Sequence, residues 1–360
     1  MHSILKIFLL ILFISFSHSV FSQTNKEKAY AKYKEGIKLV DNGKFDEGIN
    51  KYNEALKFDP DNIVYKYESA YAYYALGKYQ KVVDVLEKIV DDEKVYDQVY
   101  QLLGNAYDML GNKKESIETY IEGLKKFPKS GCLHMEIGNL LYAHNIFTEA
   151  VLAYEKGVEV EPTYSSNYYH AAMLFSESDQ EIWSMIYGEL FINLEPNSKR
   201  AAEMSKALFF IYRHRIEIKG DTLGIYFFQT GDTTKNKRNE FAITYLALIV
   251  LAIQGEKNIY LNPLDRIRTK FIDTYYEEGL NSKFPNVLFD YQKKIRDAGH
   301  FEAYNHFLLQ KGDEEDFEDW KRKNKDKWEA FQIWYVQNPI KIDENNKFYS
   351  EQYLKFNLKF

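Results

Sequence analysis

Apolar and small residues along this chain recur with a period of 34 residues. The stretch Gly104-Asn105-Ala106-Tyr107, then Gly111, Tyr120 and Pro128, sets the frame. One step back stand Ala70-Tyr71-Ala72-Tyr73, Gly77 and Leu86, and two steps back Gly36, Gly43, Tyr52 and Pro60. One step forward gives Gly138, Tyr154 and Pro162, and two give Ala172 and Pro196. Five blocks follow without gaps, at 29–62, 63–96, 97–130, 131–164 and 165–198. A fixed period of this size belongs to a stacked array, in which each block is one supersecondary unit.

Each block reads as two amphipathic helices around a mid-block turn. In the first, Ala29–Asp41 is one helix, Asn42-Gly43-Lys44 the turn and Phe45–Phe58 the second helix. Gly43 can take the left-handed conformation of a helix end, and Pro60 stops the second helix. The eighth position stays small (Gly36, Ala70, Gly104, Gly138, Ala172), as does the twentieth (Gly48, Val82, Ser116, Ala150, Ser184). These are the expected helix crossings, where added bulk overpacks. The twenty-fourth position is large: Tyr52, Leu86, Tyr120 and Tyr154. Gly188 replaces it in the fifth block, which predicts close packing there by the C-terminal half.

This pattern resembles the tetratricopeptide repeat family. Gly36, Phe45, Gly48, Tyr52, Ala55 and Pro60 carry the resemblance in the first block. Gly104, Tyr107, Gly111, Ser116, Tyr120 and Pro128 carry it in the third, and Gly138, Ala150, Tyr154 and Pro162 in the fourth. Block two departs with Lys94 in place of proline, and block five departs further. The resemblance, over 29–198, implies a right-handed helical superhelix, or α-solenoid; with the helical pattern beyond it the expected fold is all-α, the superhelix capped by a C-terminal helical domain. It also implies an inner face lined by the first helix of each pair, which binds a protein or peptide partner. At the lining positions (second, fifth, ninth, twelfth and thirteenth) this chain reads as aromatic and largely uncharged, with Asp108 the one charge in the middle three blocks. The expected groove residues are Tyr67, Tyr71, Tyr74, Asn105, Asn139, Tyr142 and Tyr169. Asparagine offers donor and acceptor to one peptide unit, and tyrosine supplies broad contact with few rotors. The family's carboxylate-clamp lysines and arginines are missing. Tyr33, Ile37, Gln98 and Leu102 stand at those positions, which argues against a chaperone-tail receptor.

Residues 199–218 read as a capping or junction helix, with Lys206 at the small-residue position. Residues 219–360 read as a mostly helical domain of no recognised family. Gly220–Lys237 breaks the pattern as a strand, hairpin or loop. Asn239–Gln254 reads as a buried helix, apolar nearly all round, followed by helices at Leu264–Gly279 and Asn286–Ala298. One long amphipathic segment then runs from Asp313 to Gln337, and the tail Lys341–Phe360 either lies back on the domain or is disordered.

Composition changes this picture in three places. Residues 1–22 read as a signal peptide: Lys6, an apolar core Ile7–Phe16, and Val20-Phe21-Ser22 ahead of Gln23. The expectation is an exported protein, periplasmic, envelope-bound or secreted, with no transmembrane span in the mature chain. A net charge of −6 without a basic stripe argues against nucleic acid. The single cysteine, Cys132, makes no intramolecular disulfide. No cofactor, metal site or catalytic residue is expected. His300 and His306 are six apart and do not share a helix face, and Asp313-Glu314-Glu315-Asp316 lacks calcium-loop order. Two alternatives to a non-enzymatic interaction module stay open: an enzyme with its site in 220–340, and a carbohydrate or lipid binder using the tyrosines.

Overall fold

The computed structural model describes residues 24–178, 180–219, 222–226 and 240–352. The signal-peptide reading and most of 220–237 lie outside them. The chain forms two compact bodies that divide after Pro128. The described residues are helical apart from one β-hairpin, the connecting turns and the tail after Gln337.

The N-terminal body holds three helix pairs: α1 (24–41) and α2 (Phe45–Phe58), α3 (Ile63–Ala75) and α4 (Tyr79–Leu86), α5 (Asp97–Met109) and α6 (Lys113–Lys126). Gly43, Gly77 and Gly111 all take φ between 69° and 80°, the left-handed turn the sequence anticipates. A Cβ on Gly36 would run into the Tyr52 ring, and one on Gly104 into Tyr120. This pairing of small on large locks each helix to its partner. The second repeat departs where it lacks proline. Its second helix α4 is eight residues long against fourteen in α2 and α6. Beyond Leu86 the chain turns repeatedly, and the Tyr100 hydroxyl donates to the Val90 carbonyl at 3.1 Å, taking an acceptor a longer helix would use.

The C-terminal body begins with the fourth and fifth pairs: α7 (Gly131–Ala143) and α8 (Phe147–Val160), α9 (Ser165–Ser176) and α10 (Glu181–Leu194). Asn145 takes the mid-repeat turn at φ 60° in place of glycine. These pairs share one apolar core with everything that follows, from Met135 to Phe348. Next come α11 (Lys199–Arg215) and a hairpin of β1 (Ile216–Lys219) and β2 (Thr222–Ile225), with Ile216 paired to Ile225. Then follow α12 (Glu240–Ile253), α13 (Leu261–Glu277), α14 (Leu280–Lys283), α15 (Val287–Asp297), α16 (Phe301–Leu309), α17 (Glu314–Lys323) and α18 (Lys325–Gln337).

α10 is buried on every side from Glu181 to Asn193. The glycine at 188 is explained by α11: a Cβ there would stand 2.6 Å from the Met204 sulfur. At the centre of the body, Glu189 of α10 accepts two hydrogen bonds from the Arg268 guanidinium of α13, at 2.6 and 2.9 Å. Tyr304 and Gln292 also donate to Glu189, and Arg268 donates further to Tyr212 and Asn305. A buried pair is tolerable only when its remaining donors and acceptors are met in this way.

Three readings need correction. α12 is not buried all round: Ile243, Val250 and Leu251 are exposed, because its core face alone packs on the neighbouring helices. The Asp313–Gln337 segment breaks into α17 and α18 at Asn324, whose amide and backbone N–H both return to the Trp320 carbonyl. The hairpin takes the last three residues assigned to the junction helix, Ile216–Ile218, so the helix ends at Arg215. The tail resolves to one of its two readings as far as residue 352. Ile340, Ile342 and Phe348 are buried, and Phe348 packs 5.9 Å from Trp183.

Candidate partner-binding surface

In the N-terminal body, α3 starts where the Asn62 side chain accepts from Val64 and Tyr65 N–H at 3.1 and 3.3 Å. That start fixes the helix phase. Ile63, Tyr65, Ser69, Ala70 and Ala72 go inward, while Tyr67, Tyr71 and Tyr74 stand three and four residues apart on another face. Tyr67 packs edge-on to Tyr96 at 5.3 Å, and Tyr74 to Tyr79 at 5.2 Å. Tyr71 is 48% exposed. Tyr30, Val64 and Met109 are also exposed, each at a lining position.

Asn105 and Asn139 hold a core tyrosine rather than standing as open amides. Asn105 accepts the Tyr120 hydroxyl in the N-terminal body. In the C-terminal body Asn139 accepts the Tyr154 hydroxyl at 3.0 Å and donates to Glu136 at 3.0 Å. Each tyrosine is the one that fills the space above Gly104 or Gly138. Asparagine accepts twice and donates twice, so these bonds orient the amide without exhausting it. The first repeat has Ile37 at this position, and the buried Tyr52 hydroxyl there has no hydrogen-bond partner.

Tyr142 is 45% exposed with its ring against Phe147. Tyr169 is tied down: its hydroxyl donates to Glu203 at 3.0 Å, and its ring packs on Phe191 with the Arg200 guanidinium against both rings. Beside it, His170 stacks on Tyr154, and burial, with Arg200 second, lowers its pKa to about 4. The surface is therefore less neutral than its lining positions imply. Glu68 of α3 is half-buried, and burial and Asp41 raise its carboxyl pKa. Arg200 and Glu203 could have been found by running the 34-residue register on into α11, where they take the second and fifth positions. Glu68 gave no such signal.

The other candidates have structural work. His306 is buried against Trp320 at 4.1 Å, its Nδ1–H donating to the Glu302 carbonyl at 2.9 Å, and burial lowers its pKa. Asp313 caps α17 by accepting from Asp316 N–H. Cys132 is buried beside Ser130. Among the described residues no cluster of His, Cys, Asp and Glu is placed to hold a metal ion, and no helix is long and apolar enough to cross a membrane.

Paired antiparallel helices with a small-on-large crossing and a turn at fixed register define a helical-repeat protein. Family models described as TPR repeat and tetratricopeptide repeat match residues 36–78 and 97–125, and the chain is a tetratricopeptide-repeat protein. It is 35% identical over 109 residues to heat shock protein STI1 of Saccharomyces cerevisiae, covering 28% of this chain and 18% of that protein. It is 29% identical over 110 residues to the Hsp70-Hsp90 organising protein of Plasmodium falciparum, covering 30% of this chain and 43% of that one. The chain thus spans less than half the length of these relatives. Among solved structures, the TPR protein TTC0263 of Thermus thermophilus superposes with a TM-score of 0.43 at 17% identity, over 50% of this chain and 98% of that one.

Proposed function

We propose that this chain is an exported, non-enzymatic interaction module that binds a peptide or protein partner on the first helices of its repeats. In the N-terminal body the contacts are Tyr67, Tyr71, Tyr74 and Asn105; in the C-terminal body they are Asn139, Tyr142 and Tyr169. The observation that carries the reading is the exposure of large apolar side chains at the lining positions, Tyr71 and Tyr142 foremost, beside asparagines whose amides are already oriented. Exposed rings of this kind supply contact area at small entropic cost. The absence of clamp lysines favours a partner other than an acidic chaperone tail.

The test is capture from envelope extract with the wild-type chain and Tyr71→Ala/Tyr142→Ala, whose melting temperatures should stay close because both side chains are about half exposed. Loss of a wild-type partner by the variant supports the reading; its retention by both refutes it. Export is tested separately. Residues 1–40 fused to a phosphatase that works only outside the cytoplasm should give activity, and Ile7–Phe16 deletion should abolish it.

A further inference from the structure

Within the C-terminal body a cleft of about 640 Å³ opens between α11 and α18. Its volume lies in the range of ligand pockets. One wall is the N-terminal half of α11, presenting Ala201, Ala202 and Ser205; the other is aromatic, from Phe307 of α16 and Trp328, Phe331 and Tyr335 of α18. The floor is rigid. The Asn193 amide donates to Tyr304 at 2.7 Å and accepts from Tyr335 at 3.0 Å, and Tyr304 in turn donates to Glu189.

The repeat register says what this space is for. In the first repeat, Gly36 at the eighth position meets Tyr52 at the twenty-fourth, and Gly48 at the twentieth meets Val40 at the twelfth. The two helices of a repeat therefore run antiparallel, so the face at the third, fourth and seventh positions lies opposite the last two turns of the second helix. On α11 those positions are Ala201, Ala202 and Ser205. Among the described residues no helix follows α11 directly, because the chain turns into the β1–β2 hairpin. The end of α16 substitutes only in part: Gly312 packs on the Phe209 ring, and Lys311 N–H donates to Ser205 at 3.1 Å. The cleft is the remainder.

The lining narrows the occupant. Among the described residues no aspartate or glutamate lines the cleft, and the one charged residue that does, Lys311, is paired with Glu314. Asn197, Gln310 and Gln332 add neutral amides. We propose that the cleft receives the apolar face of the last two turns of an amphipathic helix from a partner polypeptide, laid antiparallel on α11 where a sixth repeat would place its own second helix. That direction sets the partner's C-terminal carbonyls beside the N-terminus of α11, so the two helix dipoles attract.

The probe is a fluorescein-labelled, hydrocarbon-stapled peptide of this chain's own repeat helix Phe147–Val160, titrated into the full chain by fluorescence polarisation. Ala202→Phe fills the cleft and Val336→Asp charges its mouth. Val336 is 80% exposed, so this second variant leaves the core intact whatever happens to the first. The expected result is saturable binding, weakened at least tenfold by either variant and unchanged by Tyr71→Ala. The proposal fails if the stapled peptide does not bind, if a scrambled stapled peptide binds equally, or if Val336→Asp leaves the affinity intact. It also fails if palmitate binds more tightly than the peptide and is lost in the same variants, which would make the cleft a lipid pocket.

Discussion

The N-terminal body is held by neighbours in sequence, and the C-terminal body by partners far apart in it. Gly36 meets Tyr52 and Gly104 meets Tyr120, each sixteen residues on, and each pair repeats a single solution. In the C-terminal body Glu189 meets Arg268, Gln292 and Tyr304, which are 79, 103 and 115 residues away. The first arrangement tolerates local variation, as the shortened α4 shows. The second binds five helices through one charge pair, so damage there should spread.

The largest test removes one side of that pair. Arg268→Met leaves the Glu189 carboxylate buried without a cation and should cost about 3–5 kcal/mol. Hydrogen exchange should accelerate in α10, α13 and α15 while α2–α6 keep their protection; equal loss in both bodies would break the comparison. Glu189→Leu/Arg268→Met should be milder than the single change.

A second test uses pH. The folded pKa of His170 is about 4 against 6.5 unperturbed. Between those values the unfolded chain takes up the proton and the folded chain does not. Stability should therefore fall as pH drops from 6.5 towards 4, by up to about 3 kcal/mol, and the loss should shrink in His170→Gln. A melting temperature equally sensitive to pH in both proteins would count against the assignment.

Two smaller changes probe the repeat rule itself. Gly104→Ala drives a methyl into the Tyr120 ring and should cost about 1–3 kcal/mol by thermal melt. Gly188→Ala faces the flexible Met204 thioether and recovers helix propensity, so its effect should stay under about 1 kcal/mol. Reversal of that order would show that the crossing is not what fixes the repeat. In the stabilising direction, Ile37→Asn gives the Tyr52 hydroxyl the acceptor that Tyr120 and Tyr154 have. It should raise the melting temperature, for a gain of about 1 kcal/mol.

The repeat helices were legible because period, small positions and turn glycines all point to one geometry. The groove was legible only as positions. That Asn105 and Asn139 each anchor a tyrosine follows from the fixed fifteen-residue spacing between them and Tyr120 and Tyr154, but a spacing does not say which way an amide faces. The C-terminal helices could be placed roughly from their apolar stripes. Their arrangement could not, because Glu189 and Arg268 look like ordinary surface charges until the fold buries both. α12 misled for the opposite reason: thirteen residues without a charge read as buried, yet one face stays open.

The tail has a consequence in time. Phe348 closes over Trp183 of α10, and Ser350 N–H donates to the Tyr187 hydroxyl at 2.6 Å. On a ribosome, the first three repeats can form as soon as each clears the exit tunnel. The C-terminal body must wait, with α10 uncovered, until more than 150 further residues have been made, counted from Leu194 to Ser350. For that interval the most apolar repeat helix of the chain is an exposed client, and its protection during synthesis falls to whatever meets the nascent chain first.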